Sequence, residues 1–491
     1  MRRVSLKFSV FVRGQFWAVG VLAVFFAVFG WPPGVVAGPG VVAGPGVGGK
    51  LLLSDERVAP GWPHFRVAWV QDHSEGSRDV GAAGNSLKLM VFDSADGVGE
   101  RVLLGKLGNY ARPLMTPDGR RVVYSSHSDR SVWWVDFAGG SAQKLAGGFA
   151  LDVWADAKTG ATWVYLADWV GKPESFRLRN VRRVRLDDPQ SEEPVWSDTQ
   201  ISPDNFQLSL SGRLAAGEFP WPAGGVADLE TGKWVRRGTG CWASMAPDDS
   251  GVSWVFDGPH RNLQMFAPGI ERGWSVPVNT APELAGHEVF HPRWSNHAQY
   301  LALTGPYRVN GPVNTISGGG PEVEIQIGRF GGELTKVAEW FRVTRNDRGD
   351  FFPDAWFEGG ETAVLDAAAL RALSVSVAAR PVQQLRVQVR CAEASRIPVA
   401  RSILPYRSAL VVHRYDVVGV EAGELAEKQI LIAHWGIRDG SVQPTARVRP
   451  GQTLTLTVES FEEHRELRGE RQIMDGAWTG IPLFYVVSGR K

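Results

Sequence analysis

One phrase recurs along this chain and limits its fold more than any other feature: a turn rich in Pro, Asp and Gly, followed by an alternating strand. The sharpest copy occupies residues 112–145. It holds a Pro117-Asp118-Gly119 turn, an alternating segment at 121–125, a polar turn, a second such segment at 132–137, and then Gly139-Gly140. Turn chemistry and period-two patterning agree here, which predicts two antiparallel strands. The phrase returns at 156–160 before 162–166, at Ser211-Gly212 before 213–219, at 247–249 before 252–256, and at Ser295-Asn296 before 299–304. One more unit fits in front, with strands near 65–71 and 87–93. The spacing is about 44 residues per unit, inside the range of four-stranded propeller blades.

The fold class expected is therefore all-β: a six-bladed β-propeller, or a seven-bladed one, over residues 61–358. Residues 350–358 (DFFPDAWFE) supply a strand that closes the ring against the first blade, which removes the open edges an all-β array otherwise exposes. Residues 359–374 read as a linker with one or two helical turns. Residues 375–491 change style to longer alternating strands at 385–391, 409–418, 429–434 and 453–459, which suits a small β-barrel or sandwich, OB-like in size.

Pro-Asp-Gly before an aromatic strand, then a strand ending in Asp136-Phe137-Ala138-Gly139-Gly140 with Leu145 beyond it, resembles the TolB-type, WD-like repeat of exported β-propellers. The resemblance is sharp at 112–145 and loose over the rest of 61–358. With its tail, the chain also resembles uncharacterised planctomycete-type envelope proteins. Both imply an exported envelope protein and neither names an activity, because propellers host binders, scaffolds and enzymes alike.

The N-terminus agrees with export. Arg2, Arg3, Lys7 and Arg13 precede an apolar run at 16–31, closed by Pro32-Pro33-Gly34. Residues 1–37 thus read as a signal peptide, or as an anchor if retained, and 38–60 as a Gly/Pro/Val-rich spacer. The expected place is the periplasm or the cell exterior, with membrane contact only through an uncleaved N-terminal segment. Lys plus Arg number 53 against 52 Asp plus Glu, so no global field draws the chain onto nucleic acid, and no nucleic-acid partner is expected. The run at 177–185 is basic but alternates and is followed by Asp187 and Asp188, which reads as a solvated strand face. Cys241 and Cys391 are too few for a disulfide framework and read as core thiols.

Candidate chemistry concentrates in 240–356. By repeat register Arg112, Trp242, Arg293, Trp294, Asn296, His297, Asp354 and Trp356 precede or enter blade strands, where loops ring the channel mouth. Asp257, His260, Arg261 and Asn262 fill one turn, and Arg342, Arg345, Asn346 and Asp347 lead into the closing strand. Arg, His, Asn and Trp together suit a polar ligand held by stacking and bidentate hydrogen bonds. Trp at a fixed place in each blade also suits a wedge between sheets. The leading expectation is a non-enzymatic binder or scaffold engaging an envelope protein or polysaccharide, with no cofactor.

The alternative is a metal-dependent uronate lyase. His291-Pro292-Arg293-Trp294-Ser295 resembles a blade entry of oligogalacturonate lyases, and that resemblance implies a divalent metal on histidines, with His291, His297 and His260 as candidates and His287 beside them. His287 to His291 is also a literal H-E-x-x-H, but that string binds zinc on a helix. Here Gly286 and Pro292 flank it, and in a strand residues four apart lie about 13 Å from each other.

Overall fold

The computed structural model describes residues 50–52, 61–75, 84–171, 177–270, 273–307 and 320–487, the last with breaks at 367, 371, 373–382, 404–405, 477 and 479. The expected signal or anchor and most of the spacer lie outside the described residues.

Six sheets carry the propeller and a seventh forms the C-terminal module. Blade 2 shows the pattern: Tyr110–Met115, Arg121–Ser126, Ser131–Asp136 and Gln143–Gly147 pair in sequence order as an antiparallel meander. Blades 3, 4 and 5 repeat it, starting from Phe149–Ala155, Phe206–Leu208 and Cys241–Met245. Blade 6 starts from Glu288–Trp294 and gains a fifth strand, because Lys50–Leu52 from within the expected spacer pairs in parallel with Val337–Arg342.

Blade 1 is built from both ends of the ring. Asp350–Phe357 pairs antiparallel with Phe65–Asp72, so the last propeller strand becomes the first strand of the first blade, as the sequence predicts. The first strands of neighbouring blades pack side by side around the whole ring, and these innermost strands line the channel. The blade count is six.

Apolar side chains fill the gaps between blades. Trp254, Trp294 and Trp340 are fully buried in one cluster joining blades 5 and 6, where the rings of Trp254 and Trp294 stack at 4.4 Å. Trp69, Phe65, Phe341 and Phe357 fill the joint between blades 6 and 1. Aromatics used this way are wedges between twisted sheets and contribute through buried area.

The C-terminal module is a five-stranded barrel. Gln384–Ala394 pairs with Ala409–Ala422, which pairs with Gln429–Arg438. That strand pairs in parallel with Leu483–Val486, which returns through Thr453–Ser460 to Gln384–Ala394 and closes the ring. Alternation buries Leu385, Val387, Val389 and Cys391 inside, while Arg386, Gln388 and Arg390 between them face out. Cys241 and Cys391 are both buried, free thiols. Among the described residues no helix is long and apolar enough to cross a membrane.

Candidate functional site

One side chain reaches across the channel. Arg293, from blade 6, donates Nε to Asp354 Oδ1 of blade 1 at 2.8 Å and Nη2 to Asp152 Oδ1 of blade 3 at 2.6 Å. Its Nη1 reaches Asn205 Oδ1 and the Phe206 carbonyl of blade 4. Each partner passes the link on. Asp354 accepts from the Met115 amide of blade 2, Asp152 from the Leu208 amide, and Asn205 donates to the Ala243 carbonyl of blade 5. All six innermost strands are therefore tied through one guanidinium. Burial works against its charge, but the flanking carboxylates of Asp152 and Asp354 raise its pKa and hold it ionised.

On one side of this hub lies a layer produced by bulges. Arg112, Trp242, His291 and Phe352 stand in the innermost strands of blades 2, 5, 6 and 1, and all four have positive φ, between 46° and 55°. Non-glycine residues rarely take that conformation, and bulky ones pay for it with strain. A bulge re-aims one side chain out of its ladder, and here four meet. The His291 ring lies 4.1 Å from Phe352 and 4.7 Å from Trp242, and the Arg112 guanidinium sits 4.9 Å over the Trp242 ring.

Arg112 is 7% exposed and donates no hydrogen bond among the described residues. Burial pushes its pKa down to about 9, offset by the carboxylates of Asp204 and Glu218 and reinforced by Arg293. Burial also raises Asp204 to about 6 against the pull of Arg112, and lifts Glu218 well above the usual range, with Asp204 adding to it. Glu218 Oε1 accepts from the Ala243 amide at 2.6 Å, while its Oε2 has no partner. One cation and two acids thus stand together largely out of water, with Glu218 Oε2 left without a well-formed hydrogen bond among the described residues.

The barrel roofs the adjoining part of the mouth. Its Arg471 pairs with Glu288 at 2.6 Å, both fully buried, and reaches the Gly258 carbonyl. Glu288 is held down at about 2: burial opposes its charge, but Arg471 and His260 outweigh that. His260 stands between Cys241 Sγ at 3.6 Å, Tyr406 OH of the barrel at 3.3 Å and Glu288 at 3.5 Å. Cysteine, imidazole and carboxylate side by side resemble a nucleophilic relay, but Cys241 is buried and its burial raises the thiol well above its usual pKa. The cluster is a seal between propeller and barrel. Gly258 and Gly469 are part of it: a Cβ on either would meet the facing backbone at 2.2–2.3 Å.

The sequence candidates divide between these layers. Arg293 and Asp354 form the hub, Trp242 and His291 belong to the bulge layer, and His260 and Arg261 lie under the barrel, with Arg261 Nη1 facing Met474 Sδ. Trp294, Asn296, His297 and Trp356 sit toward the opposite end of the innermost strands. Trp294 is a buried wedge, Asn296 clamps the backbone of Phe357, His297 packs on Tyr300, and Trp356 donates to the Pro117 carbonyl. Register alone placed all of these at one mouth, whereas they span the depth of the channel.

The histidines do not converge. His291 Nδ1 lies 2.9 Å from Thr304 Oγ1, His297 Nδ1 accepts from the Gln299 amide, and Phe290 stands between His260 and His291. Among the described residues no three His, Cys, Asp or Glu groups come together as a metal site. The H-E-x-x-H string runs into a strand that begins at Glu288, and Glu288 is bound to Arg471.

Asp152, Asp204, Asn205, Glu218, Phe352, Tyr406 and Arg471 escaped the sequence reading. One signal was present: Asp152-Val153-Trp154 and Asp354-Ala355-Trp356 are the same D-x-W phrase. In both, the Asp accepts an amide of the next blade and the Trp donates to a carbonyl two residues further on, Leu210 and Pro117.

No protein-family model matches this chain, and no curated protein matches it. Among solved structures it is similar to TolB from Acinetobacter baumannii, at 13% identity and a TM-score of 0.40, over 59% of this chain and 66%, just under two thirds, of that one. It is also similar to a putative TolB from Agrobacterium tumefaciens, at 12% identity and a TM-score of 0.36, over 61% of this chain and 96% of the other. The same holds for a nidogen/laminin complex, at 8% and 0.35, over 57% and 98%. The first two are distant similarities of fold to TolB-like six-bladed propellers, at low identity.

Proposed function

We propose that this chain is an exported, non-enzymatic binding or scaffold protein of the cell envelope, and that its channel mouth engages a protein or polysaccharide there. The observation that carries this reading is the bulge layer. Four blades each hold one left-handed residue in the innermost strand, at a cost on the order of 1–3 kcal/mol apiece. Together they present a cation on an aromatic face, Arg112 over Trp242, with half-buried Phe352 beside it. Strain kept at four equivalent places, around a guanidinium that donates no hydrogen bond among the described residues, fits a recognition surface better than a structural plug. A carboxylate or carbonyl on Arg112, with a sugar or aromatic face on Trp242, is the chemistry such a surface takes. Export rests on the basic flank and apolar run at the N-terminus.

The test uses the purified full-length chain with polygalacturonate and with Asp- and Glu-bearing peptides as probes. Binding weakened at least tenfold by Arg112→Met and by Trp242→Ala, with Tm held by Arg112→Met, supports the reading. Release of unsaturated uronate from polygalacturonate would replace it with the lyase.

A further inference from the structure

Blade 6 carries a second polar site, away from the channel. Its third strand, Glu324–Phe330, is buried almost throughout, and its two faces differ. Ile325 and Ile327 point into the apolar joint with blade 1. Glu324 and Gln326 point the other way, at positions where period-two patterning of a buried strand calls for apolar residues. Gln326 is fully buried, and neither its Oε1 nor its Nε2 has a partner. Glu324 is 3% exposed; Oε1 accepts from Arg342 Nη2 at 2.7 Å and from the Asn346 amide, the Thr344 hydroxyl faces the same carboxylate, and Oε2 has no well-formed hydrogen bond among the described residues.

These side chains line a cavity of about 440 Å³, together with Glu283, Arg342, Asn346 and Asp347. Glu283 Oε2 is likewise buried without a partner. An unpaired buried polar group costs free energy, and three around one cavity mark a place a ligand completes. The volume suits a small molecule or one side chain of a larger one.

The unmet capacity defines the ligand. Two carboxylate oxygens and one amide oxygen need donors, while one amide nitrogen needs an acceptor. Arg342 and Asn346 are already engaged: Arg342 Nε donates to the Thr344 carbonyl, and Asn346 Nδ2 to Glu100 and Asp350. Among the described residues the lining holds the carboxylates of Glu283, Glu324 and Asp347 against the guanidinium of Arg342, so a neutral polyol leaves negative charge uncompensated. An anion is excluded by the same balance.

We infer that this cavity binds a primary ammonium group, held by Glu283 and Glu324, with an adjacent hydroxyl or carbonyl oxygen received by the Gln326 amide. An amino sugar and a lysine side chain both present that chemistry. Burial raises the pKa of Glu324, so a bound cation displaces protons, and affinity rises from acid pH toward neutrality.

The experiment is calorimetric titration of the full-length chain with two pairs of probes, glucosamine against N-acetylglucosamine and lysine amide against its ε-N-acetyl form. The expected result is at least a tenfold preference for the ammonium member of one pair, which also identifies the source. Glu283→Gln, at a half-buried loop position, weakens that binding at least tenfold, as does Gln326→Met. Arg112→Met in the channel leaves it unchanged, which separates this site from the mouth. Equal binding of charged and acetylated probes, no binding of either ammonium probe, or indifference to Glu283→Gln overturns the assignment. If Gln326→Met fails to fold, Glu283→Gln and the pH dependence of the intact protein still decide it.

Discussion

Arg293 Nη2 lies 2.6 Å from Asp152 Oδ1, a contact that crosses the channel from blade 6 to blade 3. It changes what the most conspicuous arginine of the sequence is for. Read by register, Arg293 is a ligand contact whose removal weakens binding while the fold survives. In the structure it is 8% exposed and joins the innermost strands of all six blades directly or through one partner.

The first prediction follows. Arg293→Ala leaves Asp152 and Asp354 buried without their cation, and breaking such a pair costs about 3–5 kcal/mol. Arg293→Lys recovers little, because one ammonium cannot meet three blades in the plane a guanidinium spans. Chemical denaturation of both variants checks this; an unchanged midpoint for either sinks the hub.

Glu288 and Arg471 give the second. Their 2.6 Å pair joins blade 6 to the barrel with both side chains almost wholly inaccessible. Arg471→Met strands Glu288 and is expected to cost about 3–5 kcal/mol, while Arg471→Met with Glu288→Gln recovers a large part of that loss. A double-mutant cycle on unfolding free energy reads the coupling, and additive losses contradict it.

Gly119 and Gly212 test the blade joints. Both have φ near +70°, and a Cβ would stand 2.5 Å from Trp356 in one and 2.7 Å from Trp154 in the other. Alanine at either position meets strain and an aromatic ring together, so each substitution lowers stability by more than about 1 kcal/mol. Gly139→Ala serves as control, since nothing stands within 4 Å of its Cβ although its φ is also positive. A Tm loss for Gly139→Ala equal to those at 119 and 212 leaves only the backbone term.

Asp350 supplies a pH prediction. It accepts from Trp69 Nε1 and Gln71 Nε2, and burial pushes its pKa up to about 8, with Glu100 and Glu324 adding to the shift. A carboxyl raised on folding binds its proton more tightly in the native state, so its contribution is complete below about pH 4 and is lost as pH rises toward 8. Asp350→Asn removes that titration. The stability of the parent relative to this variant should fall between pH 4 and 8, as followed by denaturation at stepped pH; parallel curves rule the shift out.

The thiols make the fifth. Cys241 and Cys391 are buried, and burial raises the pKa of both. A thiol reagent at neutral pH should label neither in the native protein and both after denaturation. Rapid native labelling of Cys241 would show that the barrel lifts off the propeller.

How much was legible in the sequence depends on the range of the interaction. The blade unit at 112–145 was readable because turn residues and alternation act within a few positions, and the closing strand at 350–358 because a ring needs its last strand beside its first. The wedge role that the sequence left open to its tryptophans is the one Trp294 takes, whereas Trp69, Trp254 and Trp340 take it from second and fourth strands that no fixed place in the repeat marks. The candidate site was legible only as a composition. Arg112, Trp242 and His291 were in view, but the bulges that turn them inward are set by neighbouring strands, and a one-residue shift in register reverses a side chain.

Local periodicity and turn chemistry were enough for the all-β repeat, its blade length, its closure and the change to longer strands beyond residue 375, while the choice of barrel over sandwich came from strand pairing in the fold. Only the tertiary structure decided that Arg293 is a hub, that His260 lies beneath Tyr406, and that Gln326 faces a cavity. Those roles depend on which groups meet across gaps of 141 and 146 residues, and burial, by removing water, then decides which charges are paired and which are left open.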